Sequence, residues 1–158
     1  MTAKVKYADV EVGTEIPAQT YKIDRANLVM YAGASGDFNP IHWRESFAKS
    51  VGLPDVIAHG MYTMAQGGRF VTDWVGDPGA VVDYGVRFSS PVVVPDEGGA
   101  TLEISGQVEE KLDDNKVVVA LTAKSNDQKV LTRAKAVVKL AGTAPRRSTA
   151  RSGRPAPR

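Results

Sequence analysis

A chain of 158 residues with 42% hydrophobic and 24% charged side chains has the size and balance of one globular domain, which argues against a fibrous or wholly disordered architecture. The absence of cysteine excludes disulfide frameworks, thiolate nucleophiles and cysteine-type zinc sites. The formal charge of +2 belongs to one end, because Thr143 to Arg158 holds five arginines and no acid and so leaves a net −3 on the first 142 residues.

The 143–158 segment has no large apolar side chain and is expected to be a disordered tail behind a domain spanning 1–142. Its scattered arginines lack interleaved aromatics, a weak footprint for nucleic acid, so neither nucleic acid nor a membrane is an expected partner. At the other end, MTAKVKYADVEVG offers no apolar core of a signal peptide, and no later stretch approaches the ~20 apolar residues of a membrane span. A soluble, cytoplasmic protein is expected.

The first periodic segment, IDRANLVMYAGASGD, reads as a short helix with Asp24 as N-cap, Leu28, Tyr31 and Ala32 on one face, and Gly33 and Gly36 as stop signals. It runs into SGDFNPIHW, where Asn39-Pro40 signals a turn. A second helix is predicted from about Gly60 to Val75, with Met61, Met64, Ala65, Gly68, Val71, Thr72 and Val75 on its inward stripe and the two methionines as core filler. Gly67 and Gly68 cost roughly 1 kcal/mol each relative to alanine in a helix. They make sense if a sheet comes close to the helix backbone.

The second half has period two. Val82, Tyr84, Val86 and Phe88 alternate, as do Leu102, Ile104, Gly106 and Val108, then Val117, Val119, Leu121 and Ala123, then Val130, Thr132, Ala134, Ala136, Val138 and Leu140. DDNK and SNDQ are short polar joints of the hairpin kind, so the last three strands read as a meander. One early helix and a late antiparallel sheet define an α+β domain in which the helix covers the apolar face of the sheet.

Both histidines of the chain lie in polar settings. Asp37 and His42 flank the Asn39-Pro40 turn, close enough for a carboxylate and an imidazole to converge and divide acid and base work near neutral pH, with Asn39 as a supporting residue. His59 and Gly60 stand at the start of the second helix, where unpaired N–H groups form a positive end able to meet a developing oxyanion. A base, an acid and an electrophilic donor are what removal of a proton α to a thioester carbonyl requires. A metal held by Asp37, His42 and His59 is not expected, because the 17-residue gap between the histidines matches no familiar ligand spacing. Taken alone, Asp37 reads first as the cap of a helix starting after Pro40, and the ring of His59 reads equally as a satisfied structural histidine.

Gly36-Asp37-x-Asn39-Pro40-x-His42 followed by Ala58-His59-Gly60-Met61 resembles the signature of the MaoC-like, or R-specific enoyl-thioester hydratase, family of hotdog-fold proteins. From about Tyr7 to Ala141 the chain is similar to that family's short actinobacterial (3R)-hydroxyacyl-carrier-protein dehydratases, to their catalytic B subunit above all. The resemblance implies a single hotdog domain, an antiparallel sheet wrapped around a central helix. It also implies reversible hydration of trans-2-enoyl thioesters, or dehydration of (3R)-hydroxyacyl thioesters, on acyl carrier protein or coenzyme A, with no cofactor. Asp37 and His42 become the catalytic pair, the Gly60 amide the thioester-oxygen donor, and Asn39 and His59 supporting residues. A serine used by some hydratases falls near Gly67-Gly68 and is missing. The partner implied is a second hotdog chain, identical or related, and the alternative reading is a non-catalytic acyl-binding subunit of a heteromeric dehydratase.

Overall fold

The computed structural model describes residues 3–142, so the segment expected to be a disordered tail lies outside the described residues. Five strands form one antiparallel sheet in the order β1–β3–β4–β5–β2, where β1 is Glu15–Ile23, β2 Val81–Phe88, β3 Ala100–Leu112, β4 Lys116–Ser125 and β5 Gln128–Lys139. The helices are α1 Arg25–Ser35, α2 Glu45–Ser50 and α3 Gly60–Val75. α3 touches both edge strands, β1 and β2, as well as β5, which makes it the helix that the sheet wraps. The expected α+β hotdog arrangement is present. Among the described residues no helix is long and apolar enough to cross a membrane.

The predicted meander forms because most of its alternating residues find the core: Leu102, Ile104 and Val108, then Val117, Val119, Leu121 and Ala123, then Val130, Ala134, Ala136, Val138 and Leu140 are buried, with Gly106 half-buried among them. Asp114-Asn115 and Asn126-Asp127 close its hairpins, all four with φ between 48° and 60°. Such turns match the twist of the flanking strands. In β5 the period slips by one, since a bulge at Arg133, φ 48°, turns Leu131 inward where Thr132 was expected.

Three expectations need correction. β1 has no counterpart among the predicted strands: it is an edge strand burying only Ile16 and Ile23, and a bulge around Pro17 breaks its alternation. In β2, Val82 and Phe88 are exposed while Tyr84 and Val86 are partly covered, because this strand is the other edge and carries two register shifts. α3 has the predicted bounds but a rotated face. Its buried positions are Thr63, Gly67, Phe70, Val71 and Val75, and Met61 is 56% exposed rather than core filler. Phe70 sets that phase as the largest side chain sealed in the interior.

The close approach predicted at the paired glycines is real. Tyr84 Oη of β2 donates to the Met64 carbonyl at 2.9 Å, and a Cβ on Gly67 would collide with that hydroxyl. At the front of the domain, Asp24 and Asn27 form a reciprocal cap on α1, which passes through Gly33 and stops at Gly36 with φ 76°. Arg25 then ties the elements around the site together through Glu45 at 2.9 Å, Asp55 at 2.7 Å and the Val94 carbonyl at 3.4 Å.

Candidate active site

The loop after α1 is built from side chains that bond to their own backbone. Asp37 Oδ1 accepts from the Asn39 N–H at 3.2 Å, and Asn39 Oδ1 accepts from the Ile41 N–H at 3.2 Å, capping a 3-10 turn over Pro40–His42. Trp43 Nε1 donates to the Phe38 carbonyl at 3.0 Å and His59 Nε2 to the Asp37 carbonyl at 3.0 Å. Asn39 thus fixes the turn that presents His42. The loop is held by its own amides and by a tether from each side.

His42 is 7% exposed, and its Nδ1 lies 2.7 Å from the Ile57 carbonyl. A carbonyl only accepts, so Nδ1 carries the hydrogen and Nε2 keeps a free lone pair. That Nε2 stands 3.9 Å from Asp37 Oδ2. The gap is too long for a direct hydrogen bond, yet one oxygen can sit about 2.8 Å from both atoms. Burial holds the imidazole pKa below its ordinary 6.5, against a rise from the Ile57 hydrogen bond; the adjacent His59 lowers it further and Asp37 opposes. His42 is therefore a neutral base at neutral pH.

The cleft beside it, about 310 Å³, is lined by His42, Ile57, Gly60, Thr63, Phe88 and Ser90 among others. Gly60 opens α3, so its N–H is one of the four without an intrahelical acceptor, and it has no other acceptor among the described residues. The helix dipole favours negative charge there. A Cβ on Gly60 would stand 3.2 Å from the Phe88 ring, so the glycine also lets that aromatic close down on the cleft. Asp37 is not among the lining residues. Its side chain is 53% exposed, and its link to the cleft runs through His42, whose Nε2 it faces at 3.9 Å.

All five residues singled out in the sequence fall in one locality. The expected serine position near Gly67-Gly68 does not, since Gly67 faces Tyr84. Sequence reasoning missed Thr63, a buried hydroxyl lining the cleft whose Oγ1 faces the His59 carbonyl at 3.4 Å. Its one available signal was its position three residues after Gly60, on the same helical face. The ligand atoms of Asp37, His42 and His59 lie within 4.8 Å of one another. They are nevertheless poorly arranged for a cation: the two rings are stacked at 3.7 Å and 23°, so their in-plane lone pairs run side by side. One nitrogen of each ring is also spent on a carbonyl.

The family profile described as MaoC like domain matches residues 8–128. The 3-hydroxyacyl-thioester dehydratase X of Mycobacterium tuberculosis is 41% identical over 83 residues, 52% of this chain and 29% of that protein. The 3-hydroxybutyryl-CoA dehydratase of Methylorubrum extorquens is 32% identical over 127 residues, 79% of this chain and 78% of its own. Among solved structures, a MaoC-like dehydratase superposes with a TM-score of 0.86 at 42% identity, covering 89% of this chain and 44% of that one. The unliganded R-hydratase PhaJ1 from Pseudomonas aeruginosa gives 0.78 at 27% identity, covering 89% and 88%. The chain thus spans less than a third of the mycobacterial relative and under half of the first solved chain. With the profile and a relative matched along most of its length, the chain belongs to the MaoC-like domain family.

Proposed function

We propose that this chain is a hydro-lyase that interconverts (3R)-hydroxyacyl and trans-2-enoyl thioesters in cytoplasmic fatty-acid metabolism, the acyl group being carried on acyl carrier protein or coenzyme A. The observation that carries the reading is the 3.9 Å gap between the free lone pair of His42 and the Asp37 carboxylate, in which one substrate hydroxyl or water can touch both. The names of the M. tuberculosis and M. extorquens relatives, a thioester dehydratase and a CoA dehydratase, support the same chemistry. In dehydration His42 Nε2 takes the α-proton, and the charge moving onto the thioester oxygen is met by the Gly60 N–H. The bond from Cβ to the hydroxyl then breaks. The hydroxyl leaves as water with a proton from the Asp37–His42 pair, which regains its starting protonation; hydration runs the same steps backwards.

The chain pairs with a second hotdog protomer, identical or related, along the free edge of β2. That partner covers the exposed flank of Asp37 and completes the space for the acyl chain. The test is to purify the chain alone and with candidate partners and to follow enoyl-thioester absorbance on coenzyme A and carrier-protein substrates of several lengths. Turnover that disappears in folded Asp37→Asn and His42→Ala proteins is the expected result. Wild-type turnover in either variant overturns the assignment.

A further inference from the structure

We propose that His59 is a positioning residue of this site through its ring, which holds Asp37 by one nitrogen and supports His42 by one face. The proposal rests on the reading of Asp37 and His42 as the reacting pair.

His59 is 2% exposed, deeper than either residue it serves. Its Nε2 meets the Asp37 main-chain carbonyl at 3.0 Å, 22 positions away in the chain. A carbonyl accepts only, so Nε2 bears a hydrogen and is spent on that bond. The other ring nitrogen, Nδ1, is buried and has no hydrogen-bond partner among the described residues. An apolar ring would fill the same space without leaving a buried ring nitrogen unpartnered, a cost usually met where function requires it.

The faces of the ring are used as well. His42 stacks on His59 at 3.7 Å and 23°, while Tyr31 of α1 lies against His59 at 4.9 Å with a 56° tilt. Tyr31 in turn contacts Tyr62 of α3 edge-on at 5.4 Å. His59 thus sits between α1 and the catalytic imidazole, and its backbone opens α3 as N-cap without a side-chain capping bond. The side chain is free of the capping duty that its position suggests. It acts sideways.

Two consequences follow. The tether fixes the main chain of Asp37 relative to His42, and a misplacement of about 1 Å at a reacting group costs up to ~10²-fold in rate. The stack places a second ionisable ring against His42, so a charge on the His59 ring disfavours a proton on His42. The groups facing His42 are Asp37 from the loop after α1 and His59 from the start of α3, with Tyr31 and Tyr62 behind the latter. The Asp37 carboxylate favours the His42 proton, while His59 opposes it.

Two substitutions separate the tether from the stack. His59→Gln retains an N–H donor able to reach the Asp37 carbonyl but removes the second imidazole. His59→Phe retains a ring face but removes the donor. The chain has two histidines, so in either variant the single remaining imidazole proton signal in an NMR titration is His42 and needs no substrate. The His42 pKa is expected to rise in both variants. Turnover is expected to fall about 10- to 100-fold in His59→Phe with KM changed less than threefold, and to recover most of that loss in His59→Gln. Should His59→Phe not fold, His59→Leu serves the same arm. An unmoved His42 titration in folded His59→Gln, or wild-type turnover in the apolar variant, overturns the proposal even when Asp37→Asn and His42→Ala are dead. If those two variants stay active, the reading of the reacting pair fails instead, and the NMR shift still reports on the stack.

Discussion

At the scale of single residues, the tautomer of His42 determines its role. With Nδ1–H committed to the Ile57 carbonyl, the only lone pair left on the ring looks toward Asp37. Removing either member of the pair is expected to lower kcat/KM by ~10²–10⁴, the usual contribution of a positioned acid or base, with the folded content checked by circular dichroism. The lowered pKa of His42 also sets the direction of the pH dependence. The base form persists below pH 6.5, so the acid limb of a kcat/KM profile is expected at a pH lower than 6.5. A limb above 6.5 would contradict the buried environment. Stability moves the same way: between pH 6.5 and the lower folded value the unfolded chain binds the extra proton, so stability falls as pH falls through that window, and urea midpoints of His42→Phe lose this part of the slope.

At the scale of elements, α3 and β2 meet most tightly where the Gly67 backbone passes the Tyr84 hydroxyl. Burial pushes the Tyr84 phenol up to about 12, so it stays a donor throughout the working range. Gly67→Ala is expected to destabilise by ~1–3 kcal/mol through overpacking, of which about 1 kcal/mol is offset by better helix propensity. In a Tyr84→Phe background the clashing oxygen is gone and the nearest remaining atoms lie at 3.5 Å and 3.9 Å, ordinary contact distances. There Gly67→Ala becomes neutral or stabilising. A denaturant double-mutant cycle measures that coupling, and additive effects would show that the helix and strand are not fitted at this point.

For the whole molecule, β2 is a free edge of the sheet and carries two exposed apolar residues of its own, Val82 and Phe88. An unpaired strand edge with apolar neighbours is a template for association. Val82→Lys places a charge there without touching the core, since Val82 is 54% exposed in the single chain. Sedimentation equilibrium is expected to report a pair for the unaltered protein, alone or with its partner chain, and a monomer for Val82→Lys. Unchanged mass in the variant would move the interface elsewhere.

The sequence alone determined the bounds of α3, the three-strand meander and the closeness of Asp37 to His42, whereas the place of Gly60 beside that pair was implied by the family resemblance and not by spacing. The first three rest on short-range physics: capping residues, period-two burial, turns that demand positive φ, and a five-residue spacing across a proline turn. Tertiary structure alone decided the rest. β1 escaped notice because a strand at the edge, bulged around Pro17, has few side chains to bury. The face of α3 was misplaced because both sides of that helix hold small or apolar residues, and only the sheet packing on Phe70 and Gly67 selects between them. The work of the His59 ring was equally hidden, since its partners lie 17 and 22 residues back along the chain and meet it only once α1 and the loop after it have folded against the head of α3.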